Sequence, residues 1–270
     1  MGIKTKISKI DLPKKYQKYN LLETVDGISH SVYLLDNIYV LKIFENQTKQ
    51  QILNEQNLLK QLKDLQVPKV IDIFKIGNNY SVIYTQIVGN SIKKPRLSHI
   101  KQIGIFLNKQ HMVTKYKNNS NVKLFEKERL EQLIALSKNE KLLFYFQNIN
   151  IKLEINGIIH GDIFTDNVKF KNNKLMGIFD FSEACQGDFL FDLAVIAASW
   201  CFDNKKLNNI KLNILLNSYG IEIEKVVFLE YIKYALLYYA TSRYINGHNS
   251  DELIIKLKYL YESYKVVYEN

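Results

Sequence analysis

The 270-residue chain has only three prolines, none of them after Pro95, and only two cysteines, Cys185 and Cys201. Two thiols supply neither a zinc spacing nor a disulfide framework. Both stand in apolar surroundings that suit buried thiols. No apolar run is long enough to cross a bilayer. The opening Met1-Gly2-Ile3-Lys4-Thr5-Lys6 holds no apolar segment of signal-peptide length, and Lys6 stands where a myristoylation motif wants Ser or Thr. A cytoplasmic protein with no membrane partner is expected. Arginine is scarce as well, and Arg243 is the only one in the last hundred residues. No internal repeat or low-complexity block is present.

What the chain does have is lysine, and a formal charge of +10. The lysines are dispersed, and the pairs Lys14-Lys15 and Lys93-Lys94 are too short to form a nucleic-acid patch. A solvated lysine surface is expected, with no nucleic-acid partner. The same field would attract a polyphosphate nucleotide. A hydrophobic content of 47% is enough for a full core, in one large domain or two lobes.

The stretch richest in chemistry is Ile158-Ile159-His160-Gly161-Asp162-Ile163-Phe164-Thr165-Asp166-Asn167-Val168, followed by Gly177-Ile178-Phe179-Asp180-Phe181. It reads as an apolar strand, a polar loop, and a hairpin whose second strand ends on Asp180. His-Gly-Asp alone says little. The spacing His-x-Asp-x4-Asn, then a hairpin, then Asp-Phe says much more, because order, spacing and context agree. In phosphoryl transfer a carboxylate at Asp162 can orient the acceptor hydroxyl and take its proton. The Asn167 amide and the Asp180 carboxylate are hard oxygen donors of the kind Mg²⁺ takes alongside nucleotide phosphates.

Upstream, Ser31–Leu35 and Ile38–Phe44 alternate as strands around an Asp36-Asn37 turn. Gly27 and Ser29 precede them, in a strand–turn–strand that could lay backbone N–H groups over phosphates. Lys42 lies late in an apolar strand. Helical spacing of Ile52, Leu53, Leu58, Leu59, Leu62 and Leu65 predicts a helix over 48–65 that carries Glu55. A helix glutamate orienting a strand lysine toward the α- and β-phosphates is a nucleotide-binding device. A second hairpin over 71–86 leads into an extended crossover at Gln86, whose backbone could read an adenine edge. Gly89-Asn90 and Pro95 mark the boundary. Beyond it the pattern is helical over 98–116, 125–148, 189–202, 206–217, 223–246 and 250–268. His111 is expected to pack on its helix. Asp192, in the first turn of its helix, could bond the backbone of the Asp162 loop.

These residues, in this order, resemble the aminoglycoside-phosphotransferase and choline-kinase superfamily, and most of all its bacterial homoserine kinases. Asn156–Val168, Gly177–Phe181, Phe191-Asp192-Leu193-Ala194, Ala198–Phe202 and Ala235–Tyr244 carry the resemblance. It implies an α+β, bilobal, protein-kinase-like fold. Residues 1–88 would form a small N-terminal lobe of antiparallel sheet plus helix, and 89–270 a larger, mainly helical lobe. It implies ATP and Mg²⁺ as cofactors, Lys42 as the nucleotide lysine with Glu55 as its partner, Asp162 as catalytic base, and Asn167 and Asp180 as metal ligands. His160 fixes the loop rather than moving a proton. Thr165 departs from the proline common in the homoserine kinases.

Protein kinases are a poorer match. With no proline after Pro95 there is no Ala-Pro-Glu signature. Asp180 to Asp192 leaves little room for a phosphorylatable loop, and Gly161 replaces the arginine that would read such a phosphate. The expected partners are therefore ATP and a small hydroxyl substrate bearing an amine. Homoserine stands first, with choline, ethanolamine or an aminoglycoside as alternatives and a non-catalytic nucleotide binder behind them. Glu183, Asp188, Trp200 and Arg243 are the candidates for touching that substrate, Arg243 through a two-pronged bond to a carboxylate.

Overall fold

The computed structural model describes residues 3–24, 30–117 and 123–264. Gly27 and Ser29 lie outside the described residues, so their expected role at phosphates stays an expectation. The chain divides into two compact units. One is Met1–Gly89 with Met176–Ser182, and the other is Asn90–Leu175 with Glu183–Asn270.

The first unit is built on a five-stranded antiparallel sheet of β1 (Leu21–Glu23), β2 (Ser31–Leu35), β3 (Tyr39–Ile43), β4 (Val70–Ile76) and β5 (Asn79–Thr85), in the order β1-β2-β3-β5-β4. Asp36 and Asn37 turn β2 into β3 with φ of 48° and 54°, a left-handed pair that short polar side chains tolerate in a two-residue hairpin. Tyr33, Leu35, Leu41, Ile43 and Ile83 are fully buried and form its core with Leu12 and Tyr16. Helix α1 (Lys49–Gln61) begins at Thr48, whose hydroxyl and the Gln51 side chain form a reciprocal cap. Its buried face is Ile52, Glu55, Gln56, Leu58 and Leu59. The helix is shorter than its apolar spacing predicts: it closes at Leu62, and Leu65 turns back onto the Leu62 carbonyl.

The second unit is mainly helical. Helices α2 (Leu97–Thr114), α3 (Lys127–Ser137) and α4 (Glu140–Gln147) precede the short strands β6 (Gly157–Ile159), β7 (Val168–Lys171), β8 (Lys174–Ile178), which passes into the first unit at Met176, and β9 (Cys185–Gly187). Then come α5 (Phe189–Trp200), the two-residue strands β10 (Phe202–Asp203) and β11 (Lys206–Leu207), α6 (Asn209–Tyr219), α7 (Lys225–Ile245) and α8 (Asp251–Ser263). Strand β6 pairs antiparallel with β9. Helix α5 is apolar all round, with Phe191 and Leu193 to Ala198 buried, as suits a helix packed on every side. It packs on α7, and α2 packs on α6.

The fold class expected from the sequence is the one observed. Two details differ. The β10–β11 hairpin takes up Lys206 and Leu207, so the helix expected over 206–217 begins at Asn209. The boundary at 88 is also not a single crossing: Met176–Ser182, at the end of β8 and just after it, belongs to the first unit. The Ile178 N–H bonds the Gln66 carbonyl, and Gly177 lies so close to Gln66 and Ile87 that no side chain fits there. No helix among the described residues is long and apolar enough to cross a membrane.

Candidate active site

In the first unit, Lys42 enters from β3, where it sits opposite Val32 and Val82. Its ammonium is 2.7 Å from Asp180 Oδ1. The Ser182 hydroxyl donates to the same oxygen at 2.6 Å. Burial alone would push the Asp180 carboxyl up, but the Lys42 charge and these two hydrogen bonds outweigh it and hold it well below the usual carboxylate range. The Asp180 backbone is left-handed, with φ of 66°. Aspartate visits that region more readily than most residues, and such outliers gather at functional sites.

Glu55 corrects the sequence reading. Among the described residues the ion pair seen for Lys42 is with Asp180 and not Glu55: Glu55 Oε1 accepts from the Tyr84 hydroxyl at 3.2 Å, and its Oε2 has no hydrogen-bond partner there. Glu55 is 6% exposed, and desolvation raises its carboxyl against the opposing charge of Lys42. Asp180 also feels desolvation, but it has direct hydrogen bonds from Lys42 and Ser182 that Glu55 lacks. Gln86 needs correction too. Its N–H is committed to the Ile38 carbonyl at 3.0 Å, so that donor is not available to a base edge.

A residue the sequence reading passed over stands beside Lys42. His30 is 8% exposed, its Nδ1 has no hydrogen-bond partner among the described residues, and its ring lies 5.0 Å from that of Phe44. Lys42 Nζ lies 4.8 Å from the same Phe44 ring. Burial first, and the Lys42 charge second, lower the His30 imidazole from 6.5 to about 4. No sequence signal marked it, because the apposition of β2 with β3 creates it.

In the second unit, the loop after β6 carries Asp162 and Asn167. The Asn167 amide Nδ2 donates to both Asp162 Oδ2 and the Asp162 carbonyl, each at 2.8 Å. The two residues therefore form one rigid piece. Asp192, in the first turn of α5, accepts the N–H groups of His160 and Gly161. His160 Nδ1 in turn accepts the Asp162 N–H at 3.2 Å, the loop-fixing part expected of it. Gly161 has φ of 79°, and a Cβ there would run into the Phe125 ring, so only glycine fits. Its carbonyl accepts from the Tyr239 hydroxyl of α7. Tyr239 was unmarked in the sequence because it sits among core-spaced aromatics.

The four substrate candidates separate. Trp200 is fully buried and donates its indole N–H to the Ile163 carbonyl at 2.9 Å, so it braces the loop and is not accessible to a substrate. Asp188 is 4% exposed and acts as the N-cap of α5, accepting from Leu190, Glu154 and Tyr231. Both are corrections, and their cause is packing against α5 and α7. Glu183 is exposed. Arg243 is half-buried and lines a cavity of about 610 Å³.

No cluster of three His, Cys, Asp or Glu side chains that could hold a metal occurs among the described residues. Mg²⁺ does not need one, since it is commonly bound through one or two protein oxygens plus substrate phosphates. Both Asn167 amide hydrogens are drawn to Asp162, so its Oδ1 has no hydrogen-bond partner among the described residues and is an oxygen of the kind Mg²⁺ accepts. In the first unit, Asp180 Oδ2 also has no hydrogen-bond partner among the described residues, and its carboxyl is held well below the usual carboxylate range.

Similarity to known proteins points to a phosphotransferase family. The model of a family described as "Phosphotransferase enzyme family" matches residues 22–208. The homoserine kinase of Bartonella tribocorum is 25% identical over 266 residues, covering 86% of this chain and 83% of the relative. That of Bartonella henselae is 26% identical over 262 residues, covering 85% and 82%. Among solved structures, the GDP and kanamycin complex of APH(2")-IIia superposes with a TM-score of 0.67 at 15% identity, covering 92% of this chain and 94% of that one. The streptomycin-ATP-APH(2")-IIa ternary complex gives 0.61 at 19% identity, covering 92% and 93%.

Proposed function

The chain belongs to the phosphotransferase enzyme family, and from that premise we propose that it transfers the γ-phosphoryl group of ATP to the hydroxyl of a small amine-bearing acceptor, homoserine first. The observation that carries the proposal is the Asp162–Asn167 unit. A carboxylate is fixed by its own loop amide, on a backbone clamped by a buried aspartate.

In this reading Asp162 receives the hydroxyl proton as the acceptor oxygen attacks. Asn167 fixes Oδ2, so the carboxylate is aimed before substrate arrives, which favours the transition state by positioning. Lys42 neutralises charge on the nucleotide phosphates, with Asp180 holding the ammonium until then. Glu55 acts from behind, as a buried carboxyl in the field of Lys42 rather than its ion-pair partner. Asn167 Oδ1 and Asp180 Oδ2 are the oxygens that would hold Mg²⁺, which offsets charge on the transferring group.

Homoserine is favoured over the alternatives because the curated relatives named above are homoserine kinases over most of this chain. An aminoglycoside acceptor is the second reading, favoured by the fold of the solved neighbours alone. The test is an ATP-consumption assay with Mg²⁺ over homoserine, threonine, choline, ethanolamine and kanamycin. Turnover with homoserine and not with the others is the expected result. Turnover with kanamycin alone would select the second reading. Nucleotide binding without turnover on any acceptor would leave a non-catalytic binder.

A further inference from the structure

Helix α2 buries one face in the second unit, through Ile100, Ile103, Phe106 and Leu107, and leaves the opposite face uncovered. At 3.6 residues per turn, Leu97, Lys101, Ile105, Lys109 and Met112 fall within one arc of roughly 120°. All five are solvent-exposed. Leu97 is 43% exposed, Ile105 38% and Met112 68%, with the two lysines set among them. Tyr116, just beyond the end of the helix, is 82% exposed. Single apolar residues scattered on a surface need no explanation, but a row of large ones along one outer face does.

The charge around this face has one sign. No aspartate or glutamate occurs from Asn90 through Phe125, or from Asn167 through Phe179. Folding joins parts of these two stretches. The Gln102 amide donates to the Asn173 carbonyl at 2.9 Å, and its oxygen accepts the Leu175 N–H at 2.8 Å. His99 Nε2 is 3.1 Å from Asn173 Oδ1. The β7–β8 turn thus stands against the first half of α2, and it adds exposed Lys171 and Lys174 to exposed Arg96, Lys101 and Lys109. The pair Lys93-Lys94, too short to form a patch by itself, leads into the same helix. None of these cations forms an ion pair among the described residues. They are dispersed along the chain, and the fold gathers them along α2.

An anionic lipid layer fits this combination. Interfacial helices set apolar side chains into the headgroup boundary and lysines against the phosphates. Each Lys or Arg near such a surface strengthens binding about fivefold. A nucleic acid would use the cations but not Leu97, Ile105 and Met112, which offer no aromatic plane to a base. An acidic protein would have to match the cations one by one along a helix roughly 27 Å long, whereas a lipid surface meets them at any position. We propose that the outer face of α2, flanked by the β7–β8 turn, docks the second unit on an anionic phospholipid surface, with α2 lying in the plane of the headgroups. The helix lies on the layer and does not cross it. This contact goes beyond the kinase reading and does not depend on it.

The test is co-sedimentation of the full chain with vesicles of phosphatidylcholine alone and of phosphatidylcholine with about 30% phosphatidylglycerol. Wild type is expected to bind the anionic vesicles at least tenfold more tightly at low salt, and to lose most of that preference at about 0.5 M salt. Lys101→Glu with Lys109→Glu should weaken anionic-vesicle binding at least tenfold. Lys60→Glu with Lys63→Glu changes the net charge equally at exposed lysines of the first unit, and should weaken it less than threefold. Ile105→Ser with Met112→Ser should weaken it at least threefold, a response that attraction by net charge alone would not give. Wild type that ignores the anionic vesicles or binds both kinds alike overturns the proposal. So does an equal loss in the two charge-reversed variants, or no loss on removing Ile105 and Met112. Binding to a random DNA duplex with none to the vesicles also overturns it, and gives the face to nucleic acid. Should a double variant misfold, Lys109→Glu and Met112→Ser are measured singly, with losses of about threefold and twofold expected and no loss overturning the assignment. Turnover enters none of these outcomes, so the kinase reading is tested separately.

Discussion

The carboxylate of Asp192 holds Gly161: Oδ1 accepts its N–H at 2.9 Å, while Oδ2 accepts the neighbouring His160 N–H at 2.8 Å. Asp192 is fully buried, and its own orientation comes from His111, whose Nε2 is 3.0 Å from Oδ2. One neutral tautomer satisfies the whole chain, with Nε2–H donating to Asp192 and Nδ1 accepting from the Tyr219 hydroxyl at 2.8 Å. The result is a backbone that cannot drift beneath Asp162.

Asp192→Asn tests that clamp. An amide in this position sets a donor against at least one backbone N–H and removes the charge that strengthens both bonds. The expected loss is about 2–4 kcal/mol of unfolding free energy, read by urea denaturation. Turnover should fall with it, because Gly161 and Asp162 are consecutive.

Asp162→Asn should lower kcat by a factor of about 10²–10⁴, the usual worth of a positioned base. Nucleotide affinity measured by titration should stay within a factor of about two, since the lost role belongs to the transition state. A variant retaining full turnover would remove Asp162 from the mechanism.

His30 makes a pH prediction. Its folded value of about 4 lies below the unfolded 6.5, so the unfolded chain takes up the proton first. Stability from this residue therefore declines as the pH drops from 6.5 toward 4, by an amount on the order of 1–3 kcal/mol. His30→Asn should lose that slope, seen as a smaller difference between urea midpoints at pH 7.5 and pH 4.5 than in wild type.

Trp200→Phe separates bracing from substrate contact. It removes the indole bond to Ile163 and leaves that buried carbonyl without its donor. A loss of about 1–3 kcal/mol in stability is expected, with the KM for the acceptor unaltered in steady-state assays. A raised acceptor KM would return Trp200 to the substrate's surroundings.

Sequence alone determined the parts whose chemistry is local. The alternation around Asp36-Asn37, the helical spacing from Thr48 and the spacing from His160 through Asn167 to Asp180 each depend on near neighbours, so the hairpin, the helix and the loop motif were readable, and the fold class followed from the family resemblance those residues carry. Tertiary structure alone decided the pairings between distant residues. It gave Lys42 to Asp180 rather than Glu55, buried Trp200 and Asp188, brought His30 beside Lys42, and opened a charged cavity around Arg243. The reason is physical: spacing along a chain fixes which face a side chain takes, whereas the choice among competing partners turns on desolvation and direct hydrogen bonds, and both exist only once the elements have packed.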